Sequence, residues 1–410
     1  MRTKLLSLGL AALTFLTIVA ACTDQHPLAP KVPVRPEAMI PPPPCRVIIL
    51  CQPRPDNVVQ ITAGDYFTCA RRASGNVDCW GKLGGQTYTA PTRIWTGAQQ
   101  IDAGSTHACG LTASSGQAFC WGDGYNGELG IPGPYQQLGV APTAVCGAWC
   151  GAAPIQFTSI SAGSGSTCGT AVDGVYCWGI AAGGVGSSVP NHLSTRNDYN
   201  AITVGFDQAC AWVTPVPATG SSLDCWGGNS QGQAGKNPSS FPTVPFSMST
   251  FVFVANVGAD AGGQYTCADQ INGFVQCFGN NSNGQLGSAT VPYYGFSGTP
   301  VLVGDGSLPH GLHAVATGRV HACAIDQGNS AYCWGSNGYG EVGNNTTNTQ
   351  YQLPQAVQTT HTFTSLAAGQ WHSCGIADDG HVYCWGNNWY GQLGSATGTN
   401  SAVPVLVAGT

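Results

Sequence analysis

Positive charge is nearly missing from this chain. Of 410 residues only 13 are lysine or arginine, and Arg319 is the sole one after Lys236. A surface that grips phosphate backbones needs clustered basic side chains, so this scarcity argues against nucleic acid as a partner. Acidic residues are few as well: charged side chains make up 8% of the chain, with a formal net charge of −6. So neutral a surface gives little long-range steering and suits contacts made by aromatics, amides and hydroxyls. Catalytic signatures are also missing, with no GxSxG elbow, no HExxH pair and no glycine-rich phosphate loop placed between a strand and a helix. Two carboxylates from distant segments could still meet in space, so an enzyme with a site between repeats remains an alternative. No cofactor and no metal are expected. Sustained helical periodicity is absent from the segments between the repeats described below, which argues against a helical solenoid.

The N-terminal end differs from the rest. Arg2 and Lys4 precede an apolar run from Leu5 to Ala21 that stops at Val19-Ala20-Ala21-Cys22. That layout is a secretory signal with small residues before the cut, and the run is short for a membrane span. It resembles a bacterial lipoprotein signal, which implies cleavage after residue 21 and a lipid on Cys22. Thr23 does not resemble the aspartate that retains such proteins at the inner membrane, so the expectation is an outer-membrane lipoprotein in the cell envelope, facing periplasm or exterior. Residues 22–44, with Pro27, Pro30, Pro33, Pro36 and the run Pro41 to Pro44, read as an extended tether. Residues 45–57 form an N-terminal segment, and the body runs from 58 to 410.

Cysteine counting supports export. Nineteen cysteines become eighteen once Cys22 is set aside. Seven couples recur in like surroundings: Cys69 with Cys79, Cys109 with Cys120, Cys168 with Cys177, Cys210 with Cys225, Cys267 with Cys277, Cys323 with Cys333, and Cys374 with Cys384. Two close couples take the remainder, Cys45 with Cys51 and Cys146 with Cys150, the last read as a loop staple rather than a redox motif. Even arithmetic behind an export signal is the pattern of a disulfide framework; the sequence also permits pairing across repeats. Structural zinc wants tight CxxC-type spacing, which these couples lack.

Each of the seven couples sits in the same frame. A glycine stands five residues before the first cysteine (Gly64, Gly104, Gly163, Gly205, Gly262, Gly318, Gly369), and an aromatic and a glycine follow the second. Trp80, Trp121, Trp178, Trp226, Trp334 and Trp385 hold the aromatic place, with Phe278 in the remaining copy. Short apolar stretches broken by turn residues such as Asp378-Asp379-Gly380 read as strand, turn, strand, loop. Cysteines flanking such a turn would face each other on antiparallel strands. A unit this small buries only one face, so several must stack, and strand-only units fit a β-propeller. The frame Gly-x-x-His-x-Cys, Val-Tyr-Cys-Trp-Gly and Gly-Gln-Leu-Gly, at Gly369 to Cys374, Val382 to Gly386 and Gly391 to Gly394, resembles the regulator of chromosome condensation repeat. Phe67, Ser166, Gln208 and Tyr265 depart from the histidine, and the closing motif is degraded after Trp80 and after Trp178.

The resemblance implies an all-β, seven-bladed propeller. It also implies closure by pairing strands from the two ends, with Pro404-Val405-Leu406-Val407 completing a blade with residues near Val58. The eponymous nuclear member docks on chromatin and promotes exchange on a small GTPase. This chain lacks the basic residues for the first, and an exported chain would not meet the second, so neither is expected.

His107, His321 and His372 share one repeat position, which reads as a structural hydrogen bond rather than a general base. Asp173, Asp326 and Asp378 fall at hairpins, where aspartate stabilises turns. The loops after the aromatic-glycine pair vary and hold Tyr125, Tyr339, Trp389 and Tyr390. Equivalent loops emerge on one face, where these aromatics either anchor a partner or cover neighbouring blades. Ile131 to Thr158, Lys236 to Asn256 and Ser288 to His313 read as long interblade insertions that offer a second recognition surface. The expected function is an envelope-anchored scaffold binding a protein. Alternatives are a surface glycan, inhibition of a β-lactamase as in some secreted relatives of the repeat family, and the interblade enzyme.

Overall fold

The computed structural model describes residues 56–410 apart from 134–135, 147–153, 181–185, 214–221, 237, 239–241, 249–253, 260–262, 271–272, 307–310, 348–349 and 396. The signal, Cys22, the tether, Cys45 and Cys51 lie outside the described residues, as does Cys150. The expected pairing of Cys45 with Cys51 therefore has no structural account here. Cys146 is disulfide-bonded.

Seven antiparallel four-stranded sheets follow one another along the chain as the blades of a propeller. Blade 1 comprises Val58–Ala63, Phe67–Arg72, Val77–Leu83 and Gln86–Trp95. Blades 2 to 6 occupy residues 98–144, 157–194, 199–248, 254–302 and 312–356, and blade 7 comprises Phe363–Ala368, His372–Ala377, Val382–Gly386 and Ser401–Leu406. Within each blade the second and third strands put the two cysteines of a couple directly opposite. Blades 1 to 4 pair Cys69 with Cys79, Cys109 with Cys120, Cys168 with Cys177 and Cys210 with Cys225. Blades 5 to 7 pair Cys267 with Cys277, Cys323 with Cys333 and Cys374 with Cys384. All seven couples are disulfides within a blade, with Cα atoms 4.0–4.1 Å apart. The alternative of pairing across repeats is thus excluded for these fourteen cysteines.

Two expectations fail here. The C-terminal strand does not complete the blade of Val58; Ser401–Leu406 is the outer strand of blade 7, pairing Val405 with Cys384, while Val58 opens blade 1. Every blade is therefore a contiguous piece of chain, and blades 1 and 7 meet without sharing a strand. The long insertions are also partly sheet: Gln136–Ala144, Phe246–Met248 and Phe296–Leu302 lie inside them as the outer strands of blades 2, 4 and 5. Outer strands escape recognition because one side faces solvent and the hydrophobic alternation fades.

The repeat motif encodes the contact between neighbouring blades. Trp80, Trp178, Trp334 and Trp385 are buried, and each donates its indole N–H to a backbone carbonyl in the closing motif of the preceding blade: Gln392, Glu128, Gln285 and Glu341, at 2.8–2.9 Å. Trp121 and Trp226 are equally buried, yet their indole nitrogens have no partner. The blades before them are the two with a degraded closing motif. A second relay runs beside the first. His107, His321 and His372 each hold Nε2 2.8 Å from a hydroxyl of the next blade, on Thr167, Ser373 and Thr68. That hydroxyl donates onward to the Glu128, Glu341 or Gln392 carbonyl oxygen. Where the next blade offers Ala108, Ala209 or Ala322 instead, the histidine is replaced by Phe67, Ser166 or Tyr265. Gly104 shows why its own place admits no side chain, since a Cβ there would lie 2.5 Å from the His107 ring and 2.3 Å from the Gly163 carbonyl oxygen.

Candidate interaction surface

In a four-stranded meander the turn between strands one and two and the connection between strands three and four leave at the same end. Both sets of loops therefore share one face of the ring, called the loop face below. The three-to-four connections are folded by their own asparagines. In blade 7, buried Asn387 accepts from Trp389 N and from Gln392 Nε2, and Asn388 Oδ1 accepts from Leu393 N. In blade 6, Asn337 Oδ1 accepts from Val342 N, and buried Glu341 takes Tyr339 N at 2.7 Å. Burial raises the Glu341 pKa above the ordinary carboxylate range. With the polar residues turned inward to cap the loop, the aromatic ones are left outside: Trp389 is 60% exposed.

These rings join into one patch spanning blades 6, 7 and 1. Tyr339 lies 5.0 Å from Trp389 and 5.4 Å from Trp371; Tyr66 lies 5.8 Å from Trp371 and 5.2 Å from Tyr390. The Lys82 ammonium sits 4.9 Å over the Tyr390 ring. The structure thus brings Tyr339, Trp389 and Tyr390 together. Tyr125, on the corresponding loop of blade 2, is 54% exposed and is not one of these contacting rings. Tyr66 and Trp371 were missed by sequence reasoning. Both occupy the residue before the histidine place in Gly-x-x-His, a position that reads Thr106, Gly165, Asp207, Gln264 and Val320 elsewhere. The signal was there as variation inside a motif counted by its constant letters.

Chemistry elsewhere is accounted for structurally. The three histidines are buried and neutral, each pushed down to about 3 by desolvation. Asp326 accepts from Gly328 N and Ser330 N and closes its hairpin, and Asp173 accepts from Tyr176 Oη at 2.6 Å. The first strands line an axial channel with a cavity of about 370 Å³. Asp102 within it accepts from Thr62 Oγ1 and Ala162 N, tying blades 1, 2 and 3, and burial raises its pKa. On the opposite face His361, Asp378 and Asp379 bring potential ligand atoms within 4.8 Å of one another. Both aspartates are exposed, and Tyr383 serves the group already by donating to Asp379 and stacking on His361 at 4.4 Å.

Comparison with known proteins agrees with this architecture. Models of the regulator of chromosome condensation (RCC1) repeat match residues 58–82, 98–128, 313–341 and 363–392, and a second such model matches 329–376 and 379–410. The ultraviolet-B receptor UVR8 of Arabidopsis thaliana is 26% identical over 328 residues, covering 75% of this chain and 69% of its own. The E3 ubiquitin-protein ligase HERC2 of Mus musculus is 23% identical over 347 residues, which span 77% of this chain but 7% of the ligase. Among solved structures, human WBSCR16 superposes with a TM-score of 0.68 at 16% identity, covering 78% of this chain and 85% of that one. Prp20p of Saccharomyces cerevisiae, described by its binding to Gsp1p and histones, gives 0.68 at 18% identity over 87% of this chain and 88% of that one. The family models match in blades 1, 2, 6 and 7, and with the motif and the blade count they identify this chain as a propeller carrying regulator of chromosome condensation repeats.

Proposed function

We propose that this propeller is a binding scaffold held outside the cytoplasm by a lipid on Cys22, and that it engages a protein partner through the aromatic patch of the loop face. The observation that carries the reading is the contiguity of Tyr66, Tyr339, Trp371, Trp389 and Tyr390 on loops braced by buried asparagines and Glu341. Rigid aromatics on pre-folded loops are interface anchors because little side-chain entropy is lost on binding. The rings meet largely edge to face, with interplanar angles of 63°, 69° and 76° for three of the pairs. That packing covers ring faces a sugar would need, which favours a protein over a glycan. Oxidised couples in all seven blades support an extracytoplasmic setting. Prp20p, a propeller of the same fold, binds Gsp1p and histones. The sparse basic residues and the export reading favour a different partner here.

A photo-crosslinking residue placed at Trp389, in cells producing the mature chain, tests this. A single defined protein adduct at position 389, absent when the residue is placed at exposed Val172 on the other face, supports the reading. A carbohydrate adduct, or equal adducts from both faces, refutes it. Mass spectrometry of the mature N-terminus checks the lipid on Cys22.

A further inference from the structure

Arg319 is the one arginine of the described residues whose side chain donates no hydrogen bond. Arg72, Arg93 and Arg196 each reach a carboxylate oxygen at 2.5–2.7 Å, and Arg71 donates to Gln60. Among the described residues the nearest carboxylate to Arg319, Asp65, stands 3.7 Å away, and its Oδ1 is buried with no partner. A guanidinium carries five donors in a fixed fork, so leaving it unspent and 39% exposed in a chain this poor in basic residues is a feature to explain.

Its surroundings on the other side add two amide donors. Arg319 lines a cavity of about 290 Å³ on the loop face, with Phe206, Asn280, Asn283 and Gln285 in its wall. Among the described residues no carboxylate lines it. Asn280 spends its side-chain oxygen on Ser282 N and Gln285 Nε2, and Asn283 spends its own on Gln350, which leaves both NH2 groups as donors. The cavity adjoins the aromatic patch: Arg319 is close enough to Tyr66 for its charge to offset part of the rise that burial imposes on that hydroxyl.

We infer that this cavity is a carboxylate-binding pocket, with Arg319 as the anchoring residue, that receives a glutamate or aspartate side chain of the protein partner beside the aromatic patch. The inference rests on the proposed use of the loop face. A bidentate carboxylate would fill the fork that Asp65 leaves open, and Asp65 acts as the competing internal anion.

The test is a titration of the mature chain labelled with 15N-arginine, followed by its Nε–H resonances. N-acetyl-L-glutamic acid α-amide is the probe and N-acetyl-L-glutamine amide its neutral control; Arg319→Gln assigns the resonance by deleting it. The acid is expected to move the Arg319 signal saturably while the control leaves it in place, and Asp65→Asn is expected to tighten binding severalfold at pH 7. Absence of a saturable shift, an equal shift with the neutral control, or binding unchanged in Asp65→Asn overturns the inference. A specific adduct at position 389 without an Arg319 response would remove the pocket and leave the aromatic surface standing, so the two failures are separable.

Discussion

Replacing His107 by glutamine should flatten part of the pH dependence of stability. The His107 ring is buried, its Nε2 is 2.8 Å from Thr167 Oγ1, and its Nδ1 has no partner, so nothing inside the fold rewards a second proton. Burial pushes its pKa down to about 3. A free imidazole titrates near 6.5, so between these values the unfolded chain takes up a proton that the folded chain refuses. A depressed folded pKa means that stability is complete above the unfolded value and falls as the solution is acidified. Linkage sets the slope at about 1.4 kcal/mol per pH unit, which amounts to about 2 kcal/mol between pH 7 and pH 5. Asp65, raised to about 6 by burial, together with Asp102, Glu128 and Glu341, works in the opposite direction, since acidification relieves their buried charge. Those groups are common to both proteins and cancel in the difference. Glutamine is a conservative choice because Gln208 fills the same place in blade 4 and donates to Tyr265 O at 2.9 Å. Denaturant unfolding of both proteins, disulfides intact, at pH 7 and pH 5 should show His107→Gln losing about 2 kcal/mol less than the parent. Parallel profiles would refute the burial argument.

Both Trp385→Phe and Trp226→Phe remove part of a buried ring, but only the first also takes from the Glu341 carbonyl one of its two donors, the other being Ser373 Oγ, so Trp385→Phe should cost about 1 kcal/mol more than Trp226→Phe, whose N–H already lacks a partner; thermal unfolding of the two variants distinguishes them. Trp389→Ala and Tyr390→Ala should weaken partner capture by about tenfold or more, as expected of interface anchors, with little change in melting temperature; a large drop in melting temperature would reassign them to packing. Opening one couple by replacing Cys267 and Cys277 with alanine should lower stability by about 2–3 kcal/mol in the chain-entropy account, measured by denaturant unfolding.

Seven blades and their cysteine pairing were legible because the letters that make a blade recur in fixed register: the couple sets the hairpin, and the tryptophan and closing motif set the contact with the next blade. Spacing tolerates variation here, since Cys210 and Cys225 pair across a longer hairpin than Cys168 and Cys177 yet end in the same register. The ring closure was misread because pairing of the chain ends was taken from the family resemblance, and Val405 looks the same whether it pairs at home or across the seam. Outer strands were read as insertions because Phe296–Leu302 and Gln136–Ala144 carry polar residues and glycine where an inner strand shows valine or isoleucine. The binding face was half legible. Tyr339, Trp389 and Tyr390 stood in loops singled out for variation, but Tyr66 and Trp371 were hidden inside a motif, and their meeting with the others is a property of the ring. Arg319 registered only as a sign of scarcity, since its unspent donors can be seen only with neighbouring blades in place.

Because no strand is shared between blades 1 and 7, the joint between first and last uses the chemistry that also joins blade 2 to blade 3 and blade 6 to blade 7: Trp80 N–H to the Gln392 carbonyl, and His372 to Thr68. The circle is thus shut by a link of a kind already used inside it. Cutting it at another junction and splicing the old ends, or lengthening it by one whole wedge, would reuse bonds already present. Such a body can change its circumference or its starting point without inventing a new way to hold itself shut.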